Sequence, residues 1–518
     1  MLTLLVLAPV VLLYTLWDNK QTIEQWHSIG RLPHIHPDYR DTVIPSNIAP
    51  LNFLVQEDGS HYYVKIYSEQ GEPIEVFSCS PKILIPQKQW HELLKINRGN
   101  QLQFDVFVKT KNDQWNLFST ITNKIANEDI DGFLIYRKMH PTHTHKSGKM
   151  AIYQRNLENF NESLILDNGY YKGGCLNCHA FCGNNTDKML IGIRSYALYG
   201  VSTLLIENDI VNKIGAKFGY TSWHPSGRLA AYSINHLPMF YHFARNEVRD
   251  TVDLNSLLAY YLLDSKTLKT SPKIAQKNRL ETWPTWSADG RYLYFCSAPM
   301  LWSDPNQLPP KRYKQVKYDL VRISYDIERD LWGELETILS AQDTGLSIAM
   351  PRISPDGRWL LFCMFNYGYF PPWQQSSDLY LINLKAAQET GRYKYRRLQI
   401  NSAQSESWTS WSSNSRWIAF SSKRLHGVFT RPYLSYVDQQ GKVHKPILLP
   451  QKDPLFYDSC LKTYSIPELV TQPVQITGEK LARVVRSSRK ISVDMPITMA
   501  TPKAAAAPAY EELWQQRE

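Results

Sequence analysis

The sequence predicts an all-β chain, a β-sandwich followed by a β-propeller, on three observations. Four segments share one strand, turn, strand plan: GYTSWHPSGRLAAYS from Gly219, ETWPTWSADGRYLYFCS from Glu281, MPRISPDGRWLLFC from Met350 and SWTSWSSNSRWIAFSS from Ser407. Short strands of alternating polarity crowd residues 43 to 138. The aromatic load, with 15 Trp and 31 Tyr in 518 residues, favours strands over helices.

Each repeat justifies the propeller in the same way. An aromatic or branched anchor (Trp223, Trp286, Ile353, Trp411) precedes a polar turn such as Ser-Pro-Asp-Gly-Arg, and an aromatic-aliphatic strand follows. The Asp-Gly and Ser-Gly pairs tolerate the positive φ of a tight hairpin. Successive anchors lie 63, 67 and 58 residues apart, which suits four-stranded blades with insertions. Further strand pairs at Leu190 and Ser202, and at Tyr433, bring the expected count to five or six blades. Insertions rich in Pro, Trp and Tyr, at 299–313 and 367–375, are expected to project from one face of the ring.

Ahead of the repeats, LNFLVQ, YYVKIYS, QLQFDVFVK and WNLFSTI read as strands of an Ig- or fibronectin-like sandwich, interrupted by one helix near Lys88 to Leu94. The expected boundaries are an N-terminal anchor over 1–20, the sandwich over 43–140, a connector over 141–189, the propeller over 190–465, and a basic, Pro- and Ala-rich extension over 466–518.

The run from Leu2 to Trp17 is almost wholly apolar and lacks a preceding Lys or Arg. It reads as an uncleaved membrane anchor of an exported protein, although 16 residues is short against the roughly 20 of a full span. A net charge of +10 and a pI near 9.0 draw anionic partners. No nucleic-acid motif accompanies that charge, so nucleic acid is excluded as a partner. The densest basic stretch, Lys480 to Lys490, reads as a solvated helical face.

Seven cysteines are scattered too widely for a small disulfide scaffold. Three residues concentrate the chemistry. GGCLNCHAF contains C-x-x-C-H, in which Cys175 and Cys178 could form thioethers with one haem c while His179 coordinates iron from the proximal side. A zinc site recruiting Cys182 and a thioredoxin-like redox pair are the alternatives. For the distal position Met189 is the first candidate and Met150 the second, with His140, His143 and His145 of MHPTHTH as imidazole candidates and core packing or a polar loop as the plain reading of each. His224, in a blade turn, reads as structural.

These landmarks together resemble a family. IPSNIAPLNF, MAIYQRNLENF, GGCLNCHAFCGNNTDKML, TSWHPSGRLAAYSIN, PRISPDGRWLLFC and TRPYLSYVD are similar to segments of exported TolB-like propeller proteins that carry a single c-type haem motif. The resemblance covers about Ile44 to Tyr464. It implies a sandwich, a haem segment and a propeller in that order, in the periplasm or cell envelope. It also matches Met189 to a Met that follows the haem motif in the family. The chain departs from the pattern at Gly192, where the family often has His.

The function expected from this reading is electron transfer by a mono-haem cytochrome, a non-catalytic subunit of a membrane-associated complex with redox protein partners. An oxidoreductase with an open haem position is a second expectation. An envelope scaffold or glycan- or protein-binding propeller, with a structural or sensory haem, is the third.

Overall fold

The computed structural model describes residues 23–141, 149–195, 198–242, 247–303 and 307–493. The expected anchor, His143, His145 and the Pro- and Ala-rich tail lie outside the described residues. Among the described residues no helix is long and apolar enough to cross a membrane.

Among the described residues, six four-stranded antiparallel sheets form a β-propeller. The innermost strands are Cys175–Cys182, Thr221–Trp223, Arg279–Trp286, Ser347–Ile353, Glu406–Trp411 and Thr463–Val470. Each touches the next and the last touches the first, so they close a ring around one axis. Arg279–Trp286 and Glu406–Trp411 are buried almost throughout, so neither shows the alternation of a half-exposed strand.

The ring closes through distant parts of the chain. Thr463–Val470 pairs with Phe133–Met139, which continues into Met150–Asn156 and Glu162–Asp167. The first blade is therefore built from both ends of the propeller sequence. This corrects three of the expected boundaries. Phe133–Met139 is a blade strand, not the last strand of the N-terminal unit. Residues 150–189 are not a connector, because Cys175–Cys182 and Asn185–Ser195 are the inner strands of the second blade. Residues 466–470 complete the axial strand of the first blade. The physical reason is that the inner edge of Phe133–Met139 stays unpaired until Thr463–Val470 is added to it.

The N-terminal unit has a seven-stranded and a three-stranded sheet, with a helix at Gln87–Ile96 that buries Trp90, Leu93 and Leu94. The Trp90 indole donates to the Ile48 carbonyl at 2.9 Å. This unit docks on the propeller, where Trp417 Nε1 donates to the Glu128 carbonyl at 3.2 Å and Tyr39 Oη to that of Leu448 at 3.2 Å. The basic segment forms a helix, Gly478–Arg486, capped by Thr477. Its Leu481, Ala482 and Val485 are buried against the first two blades, while Arg483 and Arg486 face solvent.

Candidate functional site: the propeller axis

Aligning the six inner strands by register yields one four-residue repeat: Cys178-His-Ala-Phe181, Tyr220-Thr-Ser-Trp223, Trp283-Pro-Thr-Trp286, Met350-Pro-Arg-Ile353, Trp408-Thr-Ser-Trp411 and Ile466-Pro-Glu-Leu469. In five of the six the first residue takes positive φ: 54° at Cys178, 57° at Trp283, 54° at Met350, 50° at Trp408 and 53° at Ile466. The ladder skips register at the same five places. Bulky and branched residues avoid this region at a cost of about 1–3 kcal/mol each, so the bulge persists because packing around it demands it.

The bulge turns the first side chains towards the axis, where they plug it. Tyr220 stacks on Trp283 with ring centroids 3.4 Å apart, and Trp408 meets Trp283 edge-on at 5.5 Å. All six are buried, leaving a space of about 40 Å³.

Below the plug the axis opens into a funnel of about 280 Å³ lined by the third and fourth repeat residues. Its polar lining is Ser222, Thr285, Ser410, Arg352 and Glu468; its apolar lining is Phe181, Trp223, Trp286, Ile353, Trp411 and Leu469. Neighbouring blades are stitched there by indole donors, Trp223 Nε1 to the Ala180 carbonyl at 3.2 Å and Trp411 Nε1 to that of Arg352 at 3.1 Å. Arg352, from the fifth blade, forms an ion pair with Glu468 of the first. Burial pushes the Glu468 carboxyl up, and the guanidinium of Arg352 opposes that rise. Asn184, in the turn of the second blade, donates to the Trp411 and Leu469 carbonyls at 2.8 Å each and braces the rim.

The opposite end is capped. A hairpin of Met239–Tyr241 and Arg249–Thr251, inserted in the third blade, reaches loops of four others. Arg249 donates to the Pro141 carbonyl and lies over the Trp373 ring at 4.9 Å. Glu247 pairs with Arg249 at 2.7 Å and with Lys423 at 2.6 Å. Asp250 accepts from Tyr367 Oη at 2.9 Å and contacts His242 Nε2 at 3.0 Å. Contacts to the first, fifth and sixth blades from a loop of the third require the hairpin to cross the axis.

The residues expected to hold haem lie in this ring. Cys175 and Cys178 are 3% and 7% exposed and belong to different cores, Cys175 to the one between the first two blades and Cys178 to the central plug. His179 is 2% exposed, and neither ring nitrogen has a well-aligned hydrogen bond; the Ile135 and Ile466 carbonyls are the nearby acceptors. Burial, reinforced by Arg137, lowers its pKa to about 3, so the ring is neutral. Burial pushes the Cys178 thiol up to about 12. Met189 pairs with Phe181 on the strand face that carries His179, so it cannot approach an iron from the side opposite His179. Met150 Sδ accepts from the Leu176 amide at 3.3 Å inside the core between the blades. His140 is exposed at the capped end.

These side chains do not fit a haem c. The macrocycle needs both sulfurs along one edge, the imidazole beneath its iron and open volume of several hundred Å³, about what larger ligand pockets hold. Here the sulfurs sit in separate cores, and the space beside Cys178 and His179 is about 40 Å³. A side chain at Gly192 would also collide with backbone, its Cβ meeting the Asn177 carbonyl oxygen at 2.6 Å. His224 is structural, as its turn position suggested: Nδ1 contacts Ser226 Oγ at 2.7 Å and Nε2 the Gly290 carbonyl at 3.0 Å. Sequence reasoning missed Arg352 and Glu468, although their place two residues after Met350 and Ile466 in the repeat was there to find.

No family model matches the chain. No curated protein matches it either. Among solved structures, an oligogalacturonate lyase from Vibrio parahaemolyticus aligns over 74% of this chain and 100% of its own, at 12% identity and a TM-score of 0.33. A putative 6-phosphogluconolactonase from Bacteroides uniformis aligns over 64% of this chain and 99% of its own, at 12% identity and a TM-score of 0.30. A luciferin-regenerating enzyme aligns over 60% and 90%, at 9% identity and a TM-score of 0.33.

Proposed function

We propose that this chain is a binding propeller of the cell envelope, tethered by residues 2–17, whose ligand enters the axial funnel. The observation that carries the reading is the funnel itself: about 280 Å³ on the axis, lined by both convergent polar groups and indole rings. Arg352 and Glu468 neutralise each other, so the site suits a ligand without net charge. Their fork of donors and acceptors matches vicinal hydroxyls, Ser222, Thr285 and Ser410 add hydroxyl partners, and the Trp edges supply the apolar contact that a sugar ring presents. A neutral saccharide unit is the ligand class. Electron transfer through haem has only the C-x-x-C-H spacing behind it.

Tryptophan fluorescence tests this reading. Neutral mono- and disaccharides at millimolar concentration are expected to shift the emission saturably, and Arg352→Gln to weaken that binding tenfold or more. An emission spectrum unchanged by every saccharide would overturn it.

A further inference from the structure

We infer that Cys175-Leu-Asn-Cys178-His179 is one copy of a six-fold axial-strand repeat and takes no haem, its spacing being produced by propeller geometry. The bulge at Cys178 is not a local device for presenting a thiol. The same positive φ and the same register skip recur at Trp283, Met350, Trp408 and Ile466, none of which is a cysteine. Cys178 therefore stands where the ring needs a buried side chain, and a thiol meets that need as a small hydrophobe. His179 stands where three of the other copies have Pro and two have Thr, and all six of these residues line the axial space of about 40 Å³.

The strand is also fixed by its neighbours. Arg137 donates to the Leu176 carbonyl at 2.9 Å and to Asn177 Oδ1 at 3.1 Å, and Asn168 Nδ2 donates to the Gly174 carbonyl at 2.9 Å. A Cβ at Gly174 would stand 2.1 Å from the Arg194 carbonyl oxygen, so the backbone there runs against the next strand with no gap to open. Attaching a macrocycle to both sulfurs would remove this strand from the ring and leave the inner edge of Asn185–Ser195 without its ladder partner.

The test uses the full chain exported in cells with an active c-type haem maturation system, alongside a mono-haem cytochrome as control in the same cells. The control is expected to mature while this chain has no covalent haem band, no haem mass increment, and all seven thiols titratable after denaturation. Cys178→Met, which installs the residue of the fifth copy, is expected to keep the melting temperature within a few degrees of wild type. Covalent haem at the control's level, with two thiols lost from titration, would overturn the inference. So would a collapse of the melt in Cys178→Met accompanied by loss of a haem band.

Discussion

Glu281 offers a stringent check on the axial packing. It lies in the inner strand of the fourth blade, wholly buried, with Oε2 accepting from the Gln276 amide at 3.1 Å and Oε1 without a hydrogen-bond partner. Burial pushes its pKa up from 4.5 to about 8, against the smaller pulls of the Gln276 amide and Arg279. The folded state therefore holds a proton that the unfolded chain releases above pH 4.5. Its contribution to stability is complete below that pH and is lost progressively as pH rises towards 8, where the buried carboxyl ionises. Each pH step of one across that window is worth about 1.4 kcal/mol, so the loss by pH 9 is about 3–5 kcal/mol. Glu281→Gln keeps the shape and cannot ionise. Denaturation followed by tryptophan fluorescence at pH 4.5, 7 and 9 is expected to give equal midpoints at the lowest pH and a variant more stable by that amount at the highest. Asp253, raised to about 7 by burial, is common to both proteins and cancels in the difference. Equal pH dependence of the two proteins would refute the claim that Glu281 is sealed inside the ring.

Two further outcomes follow from the cap and the closure. Glu247→Ala leaves Lys423, whose side chain is 5% exposed, without its carboxylate and should cost about 3–5 kcal/mol in a denaturant melt, part of which Glu247→Leu with Lys423→Met should restore. A chain ending at Lys462 lacks the strand in which Tyr464, Ile466, Leu469 and Val470 are at most 3% exposed, so it should show no cooperative melt and should aggregate on size exclusion. A monomeric truncation with native circular dichroism would contradict the closure described above.

The parts of this fold that were legible in sequence are those coded locally. Turns such as Ser287-Ala-Asp-Gly290 and Ser354-Pro-Asp-Gly357, with the strands beside them, betray four blades directly, because a tight hairpin needs residues that accept positive φ. The first blade was not legible, since Thr463–Val470 and Phe133–Met139 are more than 300 residues apart and no local pattern encodes their pairing. The strands of the second blade at Leu190 and Ser202 were legible, but its inner strand, Cys175–Cys182, was hidden for another reason. The blade's hairpin turn, Cys182-Gly-Asn-Asn185, follows a strand whose spacing coincides with a haem signature, and the chemical motif outweighed the structural one. The six-fold repeat carries a weak signal, a bulky residue followed by Pro or Thr two positions before the anchor. Cys178-His179 departs from it at both places. Arg352 and Glu468 could not be paired from sequence, because a channel brings together residues that are 116 positions apart.

Backbone amide exchange over residues 175–182 tests the central claim most directly, since it reports on the strand whether or not any cofactor is present. As the inner strand of the second blade, it should be as slowly exchanging as Arg279–Trp286 and Glu406–Trp411, with ladder hydrogen bonds on one side and packed axial neighbours on the other. Exchange at the rate of an exposed loop, with the other five axial strands protected, would contradict it.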